Sequence, residues 1–448
     1  RMRIVILGGG TVGRWIAETL CRHHSVTIVD TDPNKTRSLN NELDVMAITG
    51  NASHSSALFQ ADVLGVDLCL AVTGQEEVNI LAASITKEMG ARRTIARVTS
   101  DSMLDGSTFD YQWHFGVDRL LSLEELTAVE LAREIRNPGS VDVEHVARGA
   151  LKVQEVYVTA KSKLVGRPIK EIDVPAGVRL GCISRGDDLW LASATDVLEV
   201  EDQVLLIGDD AAVDSFRDEI QKDRRKLNVM IAGGGFTGVY LAKILDPEHY
   251  SVTLLERSPE RCEELAQKLP TVTLLNIDAT QRKRLQEEHV EGIDVFVACM
   301  GEDENNIMAG VEAGDLGAKK VLCVVGRPDY ALLMSQLGID KAVSPREAMV
   351  EQVKTFLNEG AIISHTQLHE GNIGVYEIEI QEGSPACEHI LANLELPSGK
   401  CLIAAVVHEG QVRVPRPDDH FAAGDYIVAL IEDSAVDATL DMFSVTGR

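Results

Sequence analysis

Two short stretches of this chain carry residues spaced for chemistry. Gly8, Gly10 and Gly13 stand in IVILGGGTVGRWIAETL (residues 4–20), and Gly233, Gly235 and Gly238 stand in VMIAGGGFTGVYLAKIL (residues 229–245). Each triplet has the spacing G-x-G-x-x-G, follows an apolar run of strand type and opens an amphipathic run, the context in which this motif binds a dinucleotide. The first glycine permits a tight turn, the second lets the backbone approach a pyrophosphate, and the third allows close helix–strand packing. The free amides at the helix start then face the phosphates. Gly9, Thr11 and Val12 complete the first cradle, and Gly234, Phe236 and Thr237 the second. An acid is expected at the end of the following strand, to accept hydrogen bonds from ribose hydroxyls. Asp30, in TIVDTD, lies 22 residues after Gly8, near the ~20 that the motif requires. Glu256, in TLLERSPER, takes that place in the second copy with a longer reach; Thr31 and Arg257 follow the two acids. Neither copy has an arginine in place of the acid, so a preference for a 2′-phosphate, as in NADP, is not supported.

Further candidates sit where strands end, the place where ligands gather in open α/β sheets. Thr73, Gly74 and Glu76 occur in AVTGQEEVN, and Arg97 in RVTSDS. The plainer alternatives are a helix cap at Thr73 and a salt bridge at Arg97, since a buried arginine needs an anionic partner. Groups for catalysis are not apparent. A dehydrogenase of this length carries a proton-transfer group, most often His, in a substrate domain, and no such constellation can be placed. His365 and His369 are four apart, a spacing that puts both on one helix face. The zincin glutamate is missing beside the first, so solvated histidines are the expectation. His23 and His24 are expected at a helix end, where the dipole favours them. The eight cysteines, from Cys21 to Cys401, show no C-x-x-C pair and fall partly inside apolar runs, as buried reduced thiols do.

These residues need elements to position them. The chain is an internal repeat: HSVTIVDTDPNK answers YSVTLLERSPER, Asp67 answers Asp294, and Asn79 answers Asn306. In the first half, strands are predicted at 3–7, 25–29, 45–48, 67–72, 94–98 and 117–121. Helices are predicted at about 11–22, 33–42, 53–62, 76–89 and 123–136. Such alternation with continuous apolar strands implies a parallel sheet covered on both faces. The pattern breaks at RNPGS (136–140), and the short alternating strands that follow predict a small β-rich domain. The second half repeats both, after a charged helix and linker at 217–226. The fold class is therefore α/β: two tandem units, each a Rossmann-like parallel-sheet domain followed by a small β-rich α+β domain. The expected boundaries are 1–138, 139–222, 227–356 and 357–448.

At 448 residues the chain has room for these four cores, which must be mainly aliphatic because aromatics are only 4%. A formal charge of −27 disfavours nucleic-acid and anionic-membrane binding. It permits a small anionic ligand held by backbone amides. No apolar run reaches the ~18 residues of a membrane span, and no leader is expected; Met2 reads as the native start. A soluble, cytoplasmic protein is expected. The residues alone leave open a nucleotide sensor, with a soluble or a membrane partner, and an NAD-dependent oxidoreductase with a duplicated cofactor domain.

With this order established, nearly the whole chain resembles the tandem RCK (KTN) family, the TrkA-type regulatory subunits of Trk potassium uptake. The resemblance rests on ILGGGTVG, VDTDP, TGNAS, AVTGQEEVN and ARVTSD, with looser counterparts NIDAT and GEDENN. It implies RCK-N and RCK-C domains and adds Asn51 and Ala52, and Asp278 and Ala279, to the expected ligand contacts. It further implies binding of NAD(H), and of ATP or ADP in one or both halves. It also implies a homo-oligomer, dimer or tetramer, forming a cytoplasmic gating ring under a membrane potassium-translocating subunit of TrkH or TrkG kind, and regulation rather than catalysis. The second half departs from the pattern: Val324 stands where Arg97 stands in the first, and Arg327 is the nearest substitute.

Overall fold

Alternating apolar strands and amphipathic helices give this chain two doubly wound parallel sheets. The computed structural model describes residues 1–136, 151–221, 225–331, 333–357, 362–368, 372–409 and 411–445. The first expected domain boundary, at 138/139, lies outside them, as do residues 222–224 of the expected linker.

The first half runs β1 (Arg3–Leu7), α1 (Thr11–Leu20), β2 (Ser25–Asp30), α2 (Pro33–Glu42), β3 (Met46–Thr49), α3 (Ser55–Gln60), β4 (Leu68–Ala71), α4 (Glu76–Glu88), β5 (Arg93–Arg97), α5 (Asp101–Leu104), α6 (Tyr111–His114), β6 (Arg119–Leu121) and α7 (Leu123–Arg136). Its sheet has the order β3-β2-β1-β4-β5-β6, all parallel, so the connection reverses direction between β1 and β4. A ligand crevice opens at the carboxyl ends of strands beside such a reversal. Two features depart from the expected elements. α5 and α6 are one-turn helices too short to leave a periodic signal, and α6 is started by Asp110 accepting from the Trp113 amide. β4 begins after Asp67, which meets Arg3 reciprocally: its amide donates to the Arg3 carbonyl at 3.0 Å and its carboxylate accepts from the Arg3 amide at 2.8 Å.

The first small domain holds β7 (Lys152–Tyr157), β8 (Val178–Arg185), β9 (Asp188–Leu191), β10 (Gln203–Gly208) and α8 (Asp210–Ile220). Its strands are antiparallel in the order β7-β10-β8-β9. α8 starts at 210, well before the charged run, and its Arg217 is buried against Asp214 at 2.8 Å rather than solvated.

The second half repeats the plan as β11 (Leu227–Ala232), α9 (Phe236–Ile244), β12 (Tyr250–Leu255), α10 (Pro259–Lys268), β13 (Thr273–Leu275), α11 (Arg282–Glu287), β14 (Val295–Ala298), α12 (Asp303–Asp315), β15 (Lys320–Val324), α13 (Pro328–Ala331), β16 (Lys341–Val343) and α14 (Pro345–Leu357). The sheet order β13-β12-β11-β14-β15-β16 is that of the first half. β17 (Ile362–Leu368), β18 (Ile373–Glu379), α15 (Pro385–Glu388), β19 (Cys401–His408), β20 (Gln411–Arg413), β21 (Tyr426–Glu432) and α16 (Val436–Phe443) follow. These five strands are antiparallel, in the order β17-β18-β21-β19-β20. His365 therefore lies in a strand, not on a helix, its ring stacked on Tyr376 with centroids 4.2 Å apart. His369 lies outside the described residues.

Like packs with like. One compact unit comprises residues 1–131 and 227–357, and the other residues 132–226 and 358–448. Within the first, Met349, Val353, Phe356 and Leu357 of α14 share a core with Ile16, Ala17 and Leu20 of α1, and Arg346 pairs with Glu18 at 2.8 Å. In the reciprocal place, the Tyr240 hydroxyl of α9 donates to Glu125 of α7 at 2.9 Å, and Lys243 pairs with Asp101. Within the second unit the two small sheets share Val153, Cys182 and Ile207 with Val375, Val407 and Leu430. A side chain on Gly181 would come within 2.3 Å of Leu430, so a glycine sets that close approach. The cores are aliphatic apart from a few rings such as Phe216, Phe296 and Phe443.

Candidate nucleotide-binding site

β1 ends at Leu7 and the chain turns at Gly8, whose φ of +114° is open to glycine alone at this tightness: an added Cβ would lie 2.9 Å from the Thr73 amide nitrogen. The Gly8 amide donates to Val29 at 2.8 Å. Gly13 lies on α1 so close to the turn that a Cβ would stand 1.8 Å from the Gly8 carbonyl oxygen. Those two glycines serve the fold. Gly10 does not: it caps α1 with ordinary φ of −74°, and a Cβ there would meet nothing within 4 Å. The second cradle repeats each feature. Gly233 has φ of +122°, Gly238 would clash with the Gly233 carbonyl at 1.9 Å, and Gly235 faces open space. Gly74, after β4, and Gly301, its counterpart after β14, likewise face open space without a positive φ. Gly301 opens the GEDENN stretch, and the 227-residue offset linking Asn79 to Asn306 leads to it from Gly74, although it was not among the expected ligand contacts.

The two acids organise the cradles. Asp30 accepts from the Gly9 amide at 2.7 Å and the Asp32 amide at 2.8 Å, one on each oxygen. Glu256 does the same with Gly234 at 3.0 Å and Ser258 at 2.8 Å, its extra methylene taken up within the turn. Each carboxylate oxygen retains a lone pair for a further donor such as a ribose hydroxyl. Thr31 and Arg257 follow on the exposed surface. Thr11 and Phe236 occupy the first helical positions, Phe236 with 45% of its surface exposed, while Val12 packs into the core beneath and Thr237 is half-buried.

A second layer of contacts ties the strand ends together. Buried Asn79 accepts from the Thr73 amide at 2.8 Å and the Thr73 hydroxyl at 2.7 Å, and donates to the carbonyls of Thr73 and Arg97 at 3.0 and 2.9 Å. Thr73 is therefore clamped by Asn79 rather than serving as the α4 cap. Asn306 accepts from Met300 and donates to Met300 and Val324 in the same pattern. Glu76 accepts from the amides of Thr99 and Ser100 at 2.8 and 2.9 Å. Burial raises its carboxyl, but those amides outweigh it and hold the group below its ordinary range. Asp303 takes this place in the second half, accepting from Gly326 and Arg327. Asn79 and Asp303 were legible only as repeat positions, because their partners lie at the ends of other strands.

Arg97 is three-quarters buried, with Glu124 at 3.8 Å and an Nε that is enclosed and has no hydrogen-bond partner. Val324 leaves that place apolar in the second half, and Arg327 instead projects outward, over the Tyr330 ring at 4.5 Å. Asn51 closes the turn after β3 by accepting from Ser53, and Asp278 does so after β13 with Thr280, whose hydroxyl and amide hold its carboxyl low. Ala52 and Ala279 are buried beside them. The expected contacts thus converge at the carboxyl ends of the strands in each half.

Other expected groups lie elsewhere. All eight cysteines are free thiols, and burial pushes Cys69, Cys299 and Cys323 up to about 12. His23 and His24 follow the end of α1, as expected, their amides donating to the Leu20 carbonyl; burial and the neighbouring His23 push His24 down. Among the described residues no cluster of His, Cys, Asp and Glu is arranged for a metal, and no helix is long and apolar enough to cross a membrane.

Two Rossmann-like sheets, each with a glycine cradle at its switch point, and two small antiparallel sheets define the class: a tandem duplication of a Rossmann-like domain followed by a small antiparallel domain. The TrkA-N domain model matches residues 4–107 and 229–345, and the TrkA-C domain model matches 153–221 and 375–444. The chain belongs to the TrkA family of Trk system potassium uptake proteins. It is 31% identical to TrkA homolog 1 of Methanosarcina mazei over 97% of this chain and 98% of that one. It is also 31% identical to TrkA of Halomonas elongata, with 96% of each chain covered. Among solved structures, the GsuK channel bound to NAD shares the fold with a TM-score of 0.57 at 17% identity, covering 99% of this chain and 79% of that one. GsuK bound to ADP does so with a TM-score of 0.52 at 13% identity, covering 80% and 69%.

Proposed function

We propose that this protein is a nucleotide-sensing subunit that regulates potassium uptake through a membrane partner and does not turn its nucleotide over. The observation that carries the reading is the pair of glycines at each switch point, Gly10 with Gly74 and Gly235 with Gly301. Their backbones show no positive φ and an added Cβ would meet no atom within 4 Å, as a site kept clear for a ligand requires. Gly8 to Gly13, Asp30, Thr31, Asn51, Ala52, Thr73, Gly74, Glu76 and Arg97 would hold NAD(H) or ADP/ATP in the first half. Gly233 to Gly238, Glu256, Arg257, Asp278 and Ala279 would hold a dinucleotide or ADP/ATP in the second. The NAD and ADP complexes of GsuK, on the same fold, support both ligand classes.

A charge of −27 disfavours direct contact with anionic lipid, so control of a pore requires a partner at the inner face of the membrane. Two sensors per chain suit a homo-oligomeric ring. A nucleotide moves such a ring only by its differential affinity for two ring states. The test is potassium flux in vesicles holding the pore subunit and this protein, with NAD+, NADH, ADP and ATP added in turn. Flux that follows the nucleotide, with no consumption of it, is expected. Flux indifferent to this protein, or steady oxidation of NADH with a metabolite, overturns the reading.

A further inference from the structure

The two small sheets give the same buried aspartate different partners. Asp202 sits in the turn before β10, its side chain fully buried. It accepts from the Glu199 amide at 2.8 Å and is gripped by Arg185, at the end of β8, through Nε at 2.7 Å and Nη2 at 2.8 Å. Arg185 is itself fixed by Glu199, by the Val197 carbonyl and by the Trp190 ring. Asp425 occupies the matching turn before β21. It is 8% exposed and accepts from the Ala422 amide at 3.1 Å. Its partner is His408, at the end of β19, with Nδ1 at 2.6 Å from Oδ1.

The equivalence is structural. Gln203 pairs with Ser184 and Tyr426 with Val407, in the same register. A left-handed residue, Glu201 or Gly424, precedes each aspartate. Each aspartate carbonyl accepts at 2.8 Å, from Val158 or from Ile380. One turn is therefore closed by a permanent cation and the other by a titratable one.

We propose that His408 and Asp425 form a proton-dependent latch on the turn that starts β21, with Arg185 and Asp202 as its pH-insensitive counterpart. The charged groups facing His408 are Asp425, Glu409 beside it in the chain and Arg413 on β20; Arg413 opposes protonation but is engaged by Asp419. The hydrogen bond and charge of Asp425 hold the imidazole above its ordinary value. The sign follows: the latch is complete below the ordinary histidine pKa of ~6.5 and is lost as pH rises through the raised value. Above it, the neutral ring can still donate one hydrogen bond, but a buried carboxylate has lost its counter-charge. The segment 420–425 then loosens, together with the mutual hydrogen bonds between Ile380 and residues 424 and 425 that close the end of the β18–β21 ladder. This device does not depend on nucleotide binding.

Hydrogen exchange of the full chain, from about pH 6 to about pH 8.5 and corrected for intrinsic rates, tests it. Protection of residues 420–427 is expected to fall several-fold with rising pH, while residues 197–204 keep theirs. His408→Arg should remove the pH dependence and retain the protection; Arg185→His should introduce it in the first sheet. Equal behaviour of the two segments in the unmodified protein, or an undiminished slope in His408→Arg, overturns the proposal.

Discussion

The two candidate nucleotide crevices share a frame and differ at the rim. Gly9 to Asp30 and Gly234 to Glu256 are the same contact at 2.7 and 3.0 Å, and Asn79 and Asn306 make the same three backbone contacts. At the rim, Phe236 stands where Thr11 stands in the first half, Arg257 where Thr31 stands, and Val324, with an outward Arg327, where the enclosed Arg97 stands. Backbone amides must be satisfied whatever ligand is bound, so duplication preserved the frame. Side chains at the rim, whether exposed like Thr31 and Arg257 or enclosed like Arg97, carry no such obligation, and there the halves diverged.

The comparison breaks first at its open glycines. Gly10→Val should abolish nucleotide binding by the first half, an affinity loss above about a hundredfold, while stability falls by no more than about 1–2 kcal/mol for the poorer α1 cap, since the added Cβ meets no protein atom within 4 Å. Gly235→Val should do the same in the second half. Calorimetry with scanning of each variant decides it; a valine variant that binds normally removes the cradle from the site. Gly13→Val is the control that should instead lower stability, by several kcal/mol, since its Cβ has no room.

The frame is the next place to press. Asn79→Ala and Asn306→Ala each strand buried backbone groups and should cost about 2–4 kcal/mol, equally in both halves. Urea unfolding measures this, and a markedly smaller cost in one half would mean the frames are not equivalent. Asp30 carries a double role. Asp30→Ala should weaken nucleotide binding by about 1–3 kcal/mol and also loosen the loop at Gly9 and Asp32. An affinity unchanged in that variant would leave the carboxylate a loop anchor alone.

Rim substitutions should be gentler. Arg257→Thr should reduce second-half affinity for an anionic nucleotide about three- to tenfold, by an amount that shrinks with added salt. The smallest effect concerns acid. Glu76 is held below its ordinary range, so its contribution is present above the unfolded carboxylate value and is lost as pH falls through the lower folded one. Glu76→Gln should flatten that part of the acid-stability profile, read by thermal melts at stepped pH.

Much of the fold was written locally. The strand and helix alternation of the first half matches the expected spans to within a residue or two at most ends, because buried parallel strands and helix starts announce themselves in short windows. Where it failed, the signal was short or shared. α5 and α6 are single turns, and the His365 spacing suits a helix in isolation but is overridden by pairing with β18. In the site, the glycines and acids were legible from spacing alone. The clamp by Asn79, the seat of Glu76 and the emptiness beside Gly74 and Gly301 were not, since each is defined by atoms from another strand end.

By itself, then, the chain's sequence determined the duplication, the two glycine turns with their acids and the aliphatic parallel strands, all properties of residues close together along the backbone. Only the tertiary structure decided that each Rossmann-like domain packs on the other and each small sheet on the other, with α14 against α1 and Gly181 beneath Leu430. Only it decided that one buried aspartate is held by arginine and its twin by histidine. Those outcomes turn on burial and on contacts between residues far apart in the chain, where the free energy depends on which surfaces exclude water together and which charges are left to face one another without it.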